Sequence, residues 1–496
     1  MLFMPNDAIK KLEPFFEKRD RLNHLLAVVN FDIETCAPEQ AIEKECDLSS
    51  FYEAELAGIS KDPEFISLVK QAKELGGLND AEALLIDDLL FDISFMEKVP
   101  LEKYVEWSKA TSKCVEMWKK AKNASDWSIV LPYFKKVVDI NREQSELLRL
   151  PFHKTPYDAY LSLFEKGQTE EDVNAIFEPL KKFLVDSLDR VLEKQAKFKI
   201  PPIKAHSRDE QAHLSEDLLK AINYDLTRGV LRETEHPFTN DVARDDCRVT
   251  THYYEEDWRS SMYSVIHEGG HALQFQNWPD YQFDNHVNGR ASSALCETHS
   301  RLYENIIGRS RGFSFTLLKL CRKNLGKEFN DMDEKTFYQT VNRVTRSLIR
   351  TESDEYTYCL HIILRYELER DLINGKLEVE DLPAAWNKKY EQYLGITPPN
   401  DAMGVLQDTH WYGGAFGYFP SYALGNLYGA QIVHHMKKEL PFDDLVAEGD
   451  LKPILEWLRD KDFAYDYLDP KDWIIKVTGE EMNPQYFIDY LKEKFF

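Results

Sequence analysis

Apolar residues recur at three- and four-residue spacing, with charges between them, along most of this chain. The pattern is clearest over Ala8–Asn30, Ala81–Phe95, Glu102–Ala121, Glu170–Ala196 and Asp354–Ile373, and it predicts helices there. Glycine and proline gather between these segments, so they punctuate helices rather than break them. Strand-like alternation is rare. Its best instance is Cys247–Tyr254, CRVTTHYY, whose β-branched and aromatic residues predict a short edge strand beside the candidate site. The polar stretch Lys199–Glu216, with its Pro-Pro step, reads as a loop inside one large domain, residues 1–496. Residues 1–200 would form a helical lobe walling a cleft, and residues 201–496 a lobe carrying the chemistry. The expected fold class is all-α: two helical lobes flanking a deep groove, with at most a small β-sheet near the site.

Composition narrows the class of protein. With 496 residues, 43% of them hydrophobic and 12% aromatic, the chain can bury a large core. The formal charge of −24, from 62 basic against 86 acidic residues, argues against nucleic acid and against an anionic membrane surface. No stretch approaches the ~18 apolar residues of a membrane span. The N-terminal MLFMPNDAIKKLEPFFEKRD lacks the apolar core and small-residue cleavage site of a secretory signal. The seven cysteines are odd in number, scattered and without a C-x-x-C pair, which fits a reducing compartment. A cytoplasmic protein is expected.

The chemistry concentrates in Ser264–Gln274, SVIHEGGHALQ, which contains His267-Glu268-x-x-His271. Residues four apart share a helix face, so His267 and His271 can offer two imidazole nitrogens to one metal ion. Glu268 projects about 100° round from His267 and can reach a water in an open coordination position. Two neutral nitrogens suit Zn²⁺, and the carboxylate suits a general base for hydrolysis. The bland alternative is a surface helix with two histidines and a solvated glutamate. A third ligand is needed, and a second helix predicted over Ser292–Ile307, capped by Ser292 or Ser293, offers Glu297 in its first turns. Glu304 is the rival ligand and His299 a weaker one. Gly269 and Gly270 cost helix stability inside the motif, about 1 kcal/mol each, and imply close approach of another backbone, a side chain or a substrate.

Further motifs follow in order around this centre: His236-Pro237-Phe238, Asp246-x-Arg248-x-Thr250, Ile349-Arg350-x-x-Ser353-Asp354, and Gly404-x-x-Gln407-Asp408-x-His410-Trp411. The run GGAFGYFPSYALGNLYGAQ comes after them. Together they resemble the Taq-type metallocarboxypeptidases, an all-helical family related in its zinc chemistry to neurolysin-like peptidases. The likeness covers the C-terminal half through motifs and the N-terminal half through helical character. One departure stands out: where the family usually has H-E-S-[GQ] at the third ligand, this chain reads Cys296-Glu297-Thr298-His299.

The resemblance implies a neurolysin-like zincin architecture, Zn²⁺ as cofactor with Co²⁺ a possible substitute, and His267, His271 and Glu297 as ligands. It implies a homodimer acting on peptides with a free C-terminus, with Glu268 as general base. Arg350 is the first choice for holding the terminal carboxylate, since a guanidinium offers paired donors. Arg248 is the second, unless Asp246 locks it in a structural ion pair. His236 would line the substrate groove. Tyr418 and His410, with His236, are candidates to stabilise charge developing on the carbonyl oxygen. Tyr356, Tyr358 and His361 read mainly as core, and the charge run Glu367–Asp371 as a solvated helix face. Competing readings are an oligopeptidase or dipeptidyl carboxypeptidase using the same metal site, and a weakly active zinc-binding helical binding protein.

Overall fold

The computed structural model describes residues 7–496; the first residues of the N-terminal stretch discussed above, 1–6, lie outside them. The expected helices form at Asp7–Thr35, Asp80–Lys98, Leu101–Ala124, Glu170–Gln195 and Glu355–Ile373. Local chemistry sets several of their ends. Asn79 and Glu82 form a reciprocal capping box at one start, and Thr169 with Asp172 forms another. The protein is helical almost throughout, as expected.

A single small sheet is present among the described residues, in the order β1–β3–β2: β1 Leu231–Glu233, β2 Thr239–Ala243 and β3 Asp246–Thr251. β3 runs parallel to β1, with Leu231 opposite Val249, and antiparallel to β2, with Thr239 also opposite Val249. The predicted strand is therefore the centre of the sheet and not its edge. β1, only three residues long and following Gly229, has too little alternation to be read from sequence. The Lys199–Glu216 stretch also differs from expectation. It stays irregular only to Ser207, whose side chain and Glu210 cap a helix at Arg208–Ala221.

The main hydrophobic core draws on residues from Cys114 to Phe495. A separate, smaller cluster joins the first helices to one another through Leu12, Phe16, Phe65, Val69 and Ile86. The N-terminal helix Asp7–Thr35 reaches the sheet at its far end. There Asn240 Nδ2 donates to the Ala27 carbonyl at 2.9 Å, and Phe31 packs edge-on against Phe238.

Candidate metal centre

The helix Trp258–Gln276 carries the histidine motif. Asp257 caps it, accepting from the Arg259 amide, and it is buried on nearly every face, unlike a surface amphipathic helix. β3 and β2 pack on one side: Thr251 Oγ1 donates to Ser264 Oγ at 3.2 Å, and Thr239 Oγ1 contacts Glu268 Oε2 at 2.8 Å. The glycines inside the motif are explained by packing. A β-carbon at Gly269 would sit 2.4 Å from Ile222 Cδ1, and one at Gly270 would sit 2.7 Å from Ser300 Cα. Gly270 is thus where the next site helix crosses.

That next helix, Ser293–Arg301, is capped by Ser292, which accepts from the Leu295 amide. It runs directly into a π-helical turn at Leu302–Ile307, so the single regular helix expected over this stretch is wound more widely in its second half. A third helix, Phe419–Met436, crosses so closely that a β-carbon at Gly425 would sit 2.7 Å from Glu297 Cβ. Glu297 is clamped between the two neighbouring helices.

His267, His271 and Glu297 each offer a ligand atom, and these atoms all lie within 4.8 Å of one another. His267 Nε2 stands 3.9 Å from Glu297 Oε2, while its Nδ1 is 3.0 Å from Glu304 Oε2. Glu304, the rival ligand, therefore orients His267 from behind and leaves Nε2 facing Glu297. His299, the weaker rival, points elsewhere: it is fully buried, with Nε2 3.1 Å from Asp462 and its ring edge-on to Phe463.

The charges around the centre suit a cation. Burial opposes a charge on Glu297 and Glu304, but Arg301 and His267, joined by His271 at Glu297 and by Arg309 at Glu304, together outweigh it and hold both carboxyls below their ordinary pKa. Burial, with His267 as neighbour, pushes His271 down to about 3, so its imidazole is neutral and its lone pair free. Burial raises the pKa of Glu268. Two imidazoles and an ionised carboxylate form a donor set suited to a divalent transition metal.

The remaining expected residues gather partly around this centre. Arg350 is almost buried, and its Nε and Nη2 both donate to Asp408 Oδ1 at 3.0 Å. Arg365, fully buried, takes the other carboxylate oxygen, Nε to Oδ2 at 2.7 Å. Two guanidiniums thus share one carboxylate. Tyr418 and Tyr422 pack edge-on to each other, and Glu297 bears electrostatically on both phenols. Burial pushes Tyr418 up to about 12. His410 stacks on Tyr418 with ring centroids 5.7 Å apart; its buried Nδ1 has no partner among the described residues, and burial pushes it down to about 4.

Arg248 is locked to Asp246, donating to both carboxylate oxygens, and lies over the Phe31 ring at 5.0 Å. His236 is exposed in the connection between β1 and β2. The Glu367–Asp371 run corrects a sequence expectation, because Glu367 and Glu369 are buried rather than solvated. Glu367 pairs with Lys181 and Lys389, and Glu369 accepts from Tyr157 and Trp411.

Sequence reasoning missed Arg301, Thr239 and Glu165. Arg301 had a visible signal, lying four residues after Glu297 on the same helix. Thr239 and Glu165 had none, since tertiary packing alone brings them to the site.

Comparison with known proteins identifies the family. Residues 11–495 match the family described as carboxypeptidase Taq (M32) metallopeptidase. The chain is 36% identical to Carboxypeptidase 1 of Bacillus subtilis (strain 168), covering 97% of both chains. It is 34% identical to Thermostable carboxypeptidase 1 of Pyrococcus furiosus, covering 99% of both. Among solved structures, a Pyrococcus furiosus carboxypeptidase described as Apo-Mg superposes with a TM-score of 0.95 at 33% identity, over 99% of this chain and 100% of that one. Metallocarboxypeptidase 1 of Trypanosoma cruzi superposes with a TM-score of 0.94 at 30% identity, over 99% of each chain. With its fold and nearly its whole length in agreement, this chain belongs to the carboxypeptidase Taq (M32) metallopeptidase family and is a metallocarboxypeptidase.

Proposed function

We propose that the centre takes Zn²⁺, held by His267, His271 and Glu297, and that the enzyme removes one amino acid at a time from the free C-terminus of peptides. When bound, the metal supplies a Lewis acid that polarises the scissile carbonyl and acidifies a water. Glu268, steadied by Thr239, takes a proton from the attacking water and later passes it to the leaving amine. Its raised pKa suits a group that must both accept and release a proton near neutrality. Tyr418, kept neutral by burial, donates toward the carbonyl oxygen as negative charge develops there. His410, stacked on Tyr418, supports it in this role.

The observation that carries the free-C-terminus reading is the charge balance at Arg350. Asp408 compensates one of the two guanidiniums it binds, so the Arg350–Asp408–Arg365 cluster keeps one net positive charge in a buried place. A substrate carboxylate completes that balance. Arg248 and His236 take a lesser part on the groove wall in this reading, since Asp246 already occupies Arg248. The sequence reading of one domain, with residues 1–200 walling the cleft, is retained, as is a cytoplasmic homodimer. The odd set of seven cysteines, all free, supports the reducing compartment.

A peptide with a free C-terminus and its C-terminally amidated twin test the reading. Wild type should trim the first by one residue and leave the second. Glu268→Gln should retain the metal while kcat falls about 10²- to 10⁴-fold. Equal cleavage of the two peptides would sink the exopeptidase assignment.

A further inference from the structure

Tyr358 lies between the metal shell and the carboxylate receptor. It is on the helix Glu355–Ile373, 6% exposed, and was expected to be core. Its ring lies under the Arg301 guanidinium, 4.3 Å from carbon to centroid, and Arg301 in turn pairs with the ligand Glu297 at 3.4 Å. Its hydroxyl faces the other way, accepting from Arg350 Nη1 at 3.4 Å. A phenol can accept and donate at once. The proton of this one finds no acceptor among the described residues, although a buried hydroxyl ordinarily has one.

The same geometry constrains Arg350. Its Nε and Nη2 are committed to Asp408, and Nη1 meets only the long contact to Tyr358. Nη1 and the Tyr358 hydroxyl are therefore adjacent donors with unused capacity. Burial pushes the Tyr358 pKa above its ordinary value despite Arg301 and Arg350, so the phenol keeps its proton at neutral pH. Residual exposure is similarly small at Arg350, 7%, and at Glu268 and Glu297, 8% each.

We propose that Tyr358 is a second receptor for the substrate's terminal carboxylate, its hydroxyl donating to one oxygen while Arg350 Nη1 donates to the other. This rests on the reading of Arg350 as the carboxylate anchor. Because the Tyr358 ring is stacked on the arginine that pairs with Glu297, the same side chain fixes how far that carboxylate lies from the metal centre.

Tyr358→Phe removes the hydroxyl and keeps the ring under Arg301. With a free-acid peptide, KM should rise about 10- to 100-fold, the loss expected for one hydrogen bond to a charged group, while kcat stays within about twofold. Metal content should be unchanged, and inhibition by the amidated twin should be as weak as in wild type. An unchanged KM would overturn the proposal, and so would a proportionate loss of affinity for acid and amide, which marks a structural role. Arg350→Gln is measured in parallel. If it preserves discrimination between acid and amide, the anchor reading itself fails. If it abolishes discrimination while Tyr358→Phe has no effect, only the role of Tyr358 fails.

Discussion

Glu304 illustrates how one side chain can orient a candidate ligand from behind. It accepts from His267 Nδ1 and also receives Arg301 Nη1 at 3.0 Å and Arg309 Nη2 at 3.2 Å. Its charge fixes the His267 tautomer with Nδ1 protonated, so that Nε2 carries the lone pair toward the ligand cluster. Glu304→Gln should weaken metal affinity about 10- to 100-fold, measured by competition with a chelator, while kcat at saturating metal changes far less. Unaltered affinity would show that packing alone orients the imidazole. At the Cys296–His299 departure from the expected pattern, His299 is held by Asp462 and an aromatic box, and neither Cys296 nor His299 joins the cluster of ligand atoms formed by His267, His271 and Glu297.

Among the elements, Glu165 joins the two helices that bracket the third ligand. Fully buried, it accepts from Ser292 Oγ and the Ala294 amide at the start of the Glu297 helix, and from Ser421 Oγ in the first turn of the Phe419–Met436 helix. No cation accompanies it in these contacts, and burial pushes its pKa from 4.5 up to about 7. A raised carboxyl pKa means the native state holds the proton more tightly than the unfolded chain. The associated stability is therefore full below about pH 4.5 and is lost as pH rises through about 7. The loss is on the order of 3 kcal/mol. The decline of Tm between pH 5 and 8 should be shallower in Glu165→Gln, whose amide mimics the protonated form. Parallel declines in the two proteins would rule out Glu165 as its source.

Across the whole molecule, the metal ties together a site assembled from distant parts of the chain. A ligand that binds only the folded state at a thousandfold excess over its Kd stabilises that state by about 4 kcal/mol. For a chain of this size that corresponds to roughly 4 °C in Tm. Chelation should lower Tm by that amount, and re-addition of Zn²⁺ should restore both Tm and activity. Restoration of activity by Mg²⁺ but not by Zn²⁺ would overturn the choice of metal. Among the described residues no helix is long and apolar enough to cross a membrane, in keeping with the polar faces read along the chain.

The sequence by itself determined the helices, the two histidines and their glutamate, because helical spacing is local and ligands four residues apart need no tertiary information. Helix spacing alone left Glu297 and Glu304 as rivals, and the motif resemblance favoured Glu297. The tertiary structure brings Glu297 together with the two histidine nitrogens, by crossing its helix against Gly270 and Gly425, and turns Glu304 onto His267 through a π-helical turn. The same holds for burial. The helix Glu355–Ile373 is enclosed on all faces, so periodicity could not reveal that Glu367 and Glu369 are internal. Arg350 and Asp408 lie 58 residues apart, and Thr239 and Glu268 lie 29 apart, separations over which a spacing pattern carries no signal. What the chain encodes locally is a helix with two histidines on one face; the long-range packing decides which carboxylate lies beside them, which arginine shares its carboxylate with another, and which tyrosine stands between.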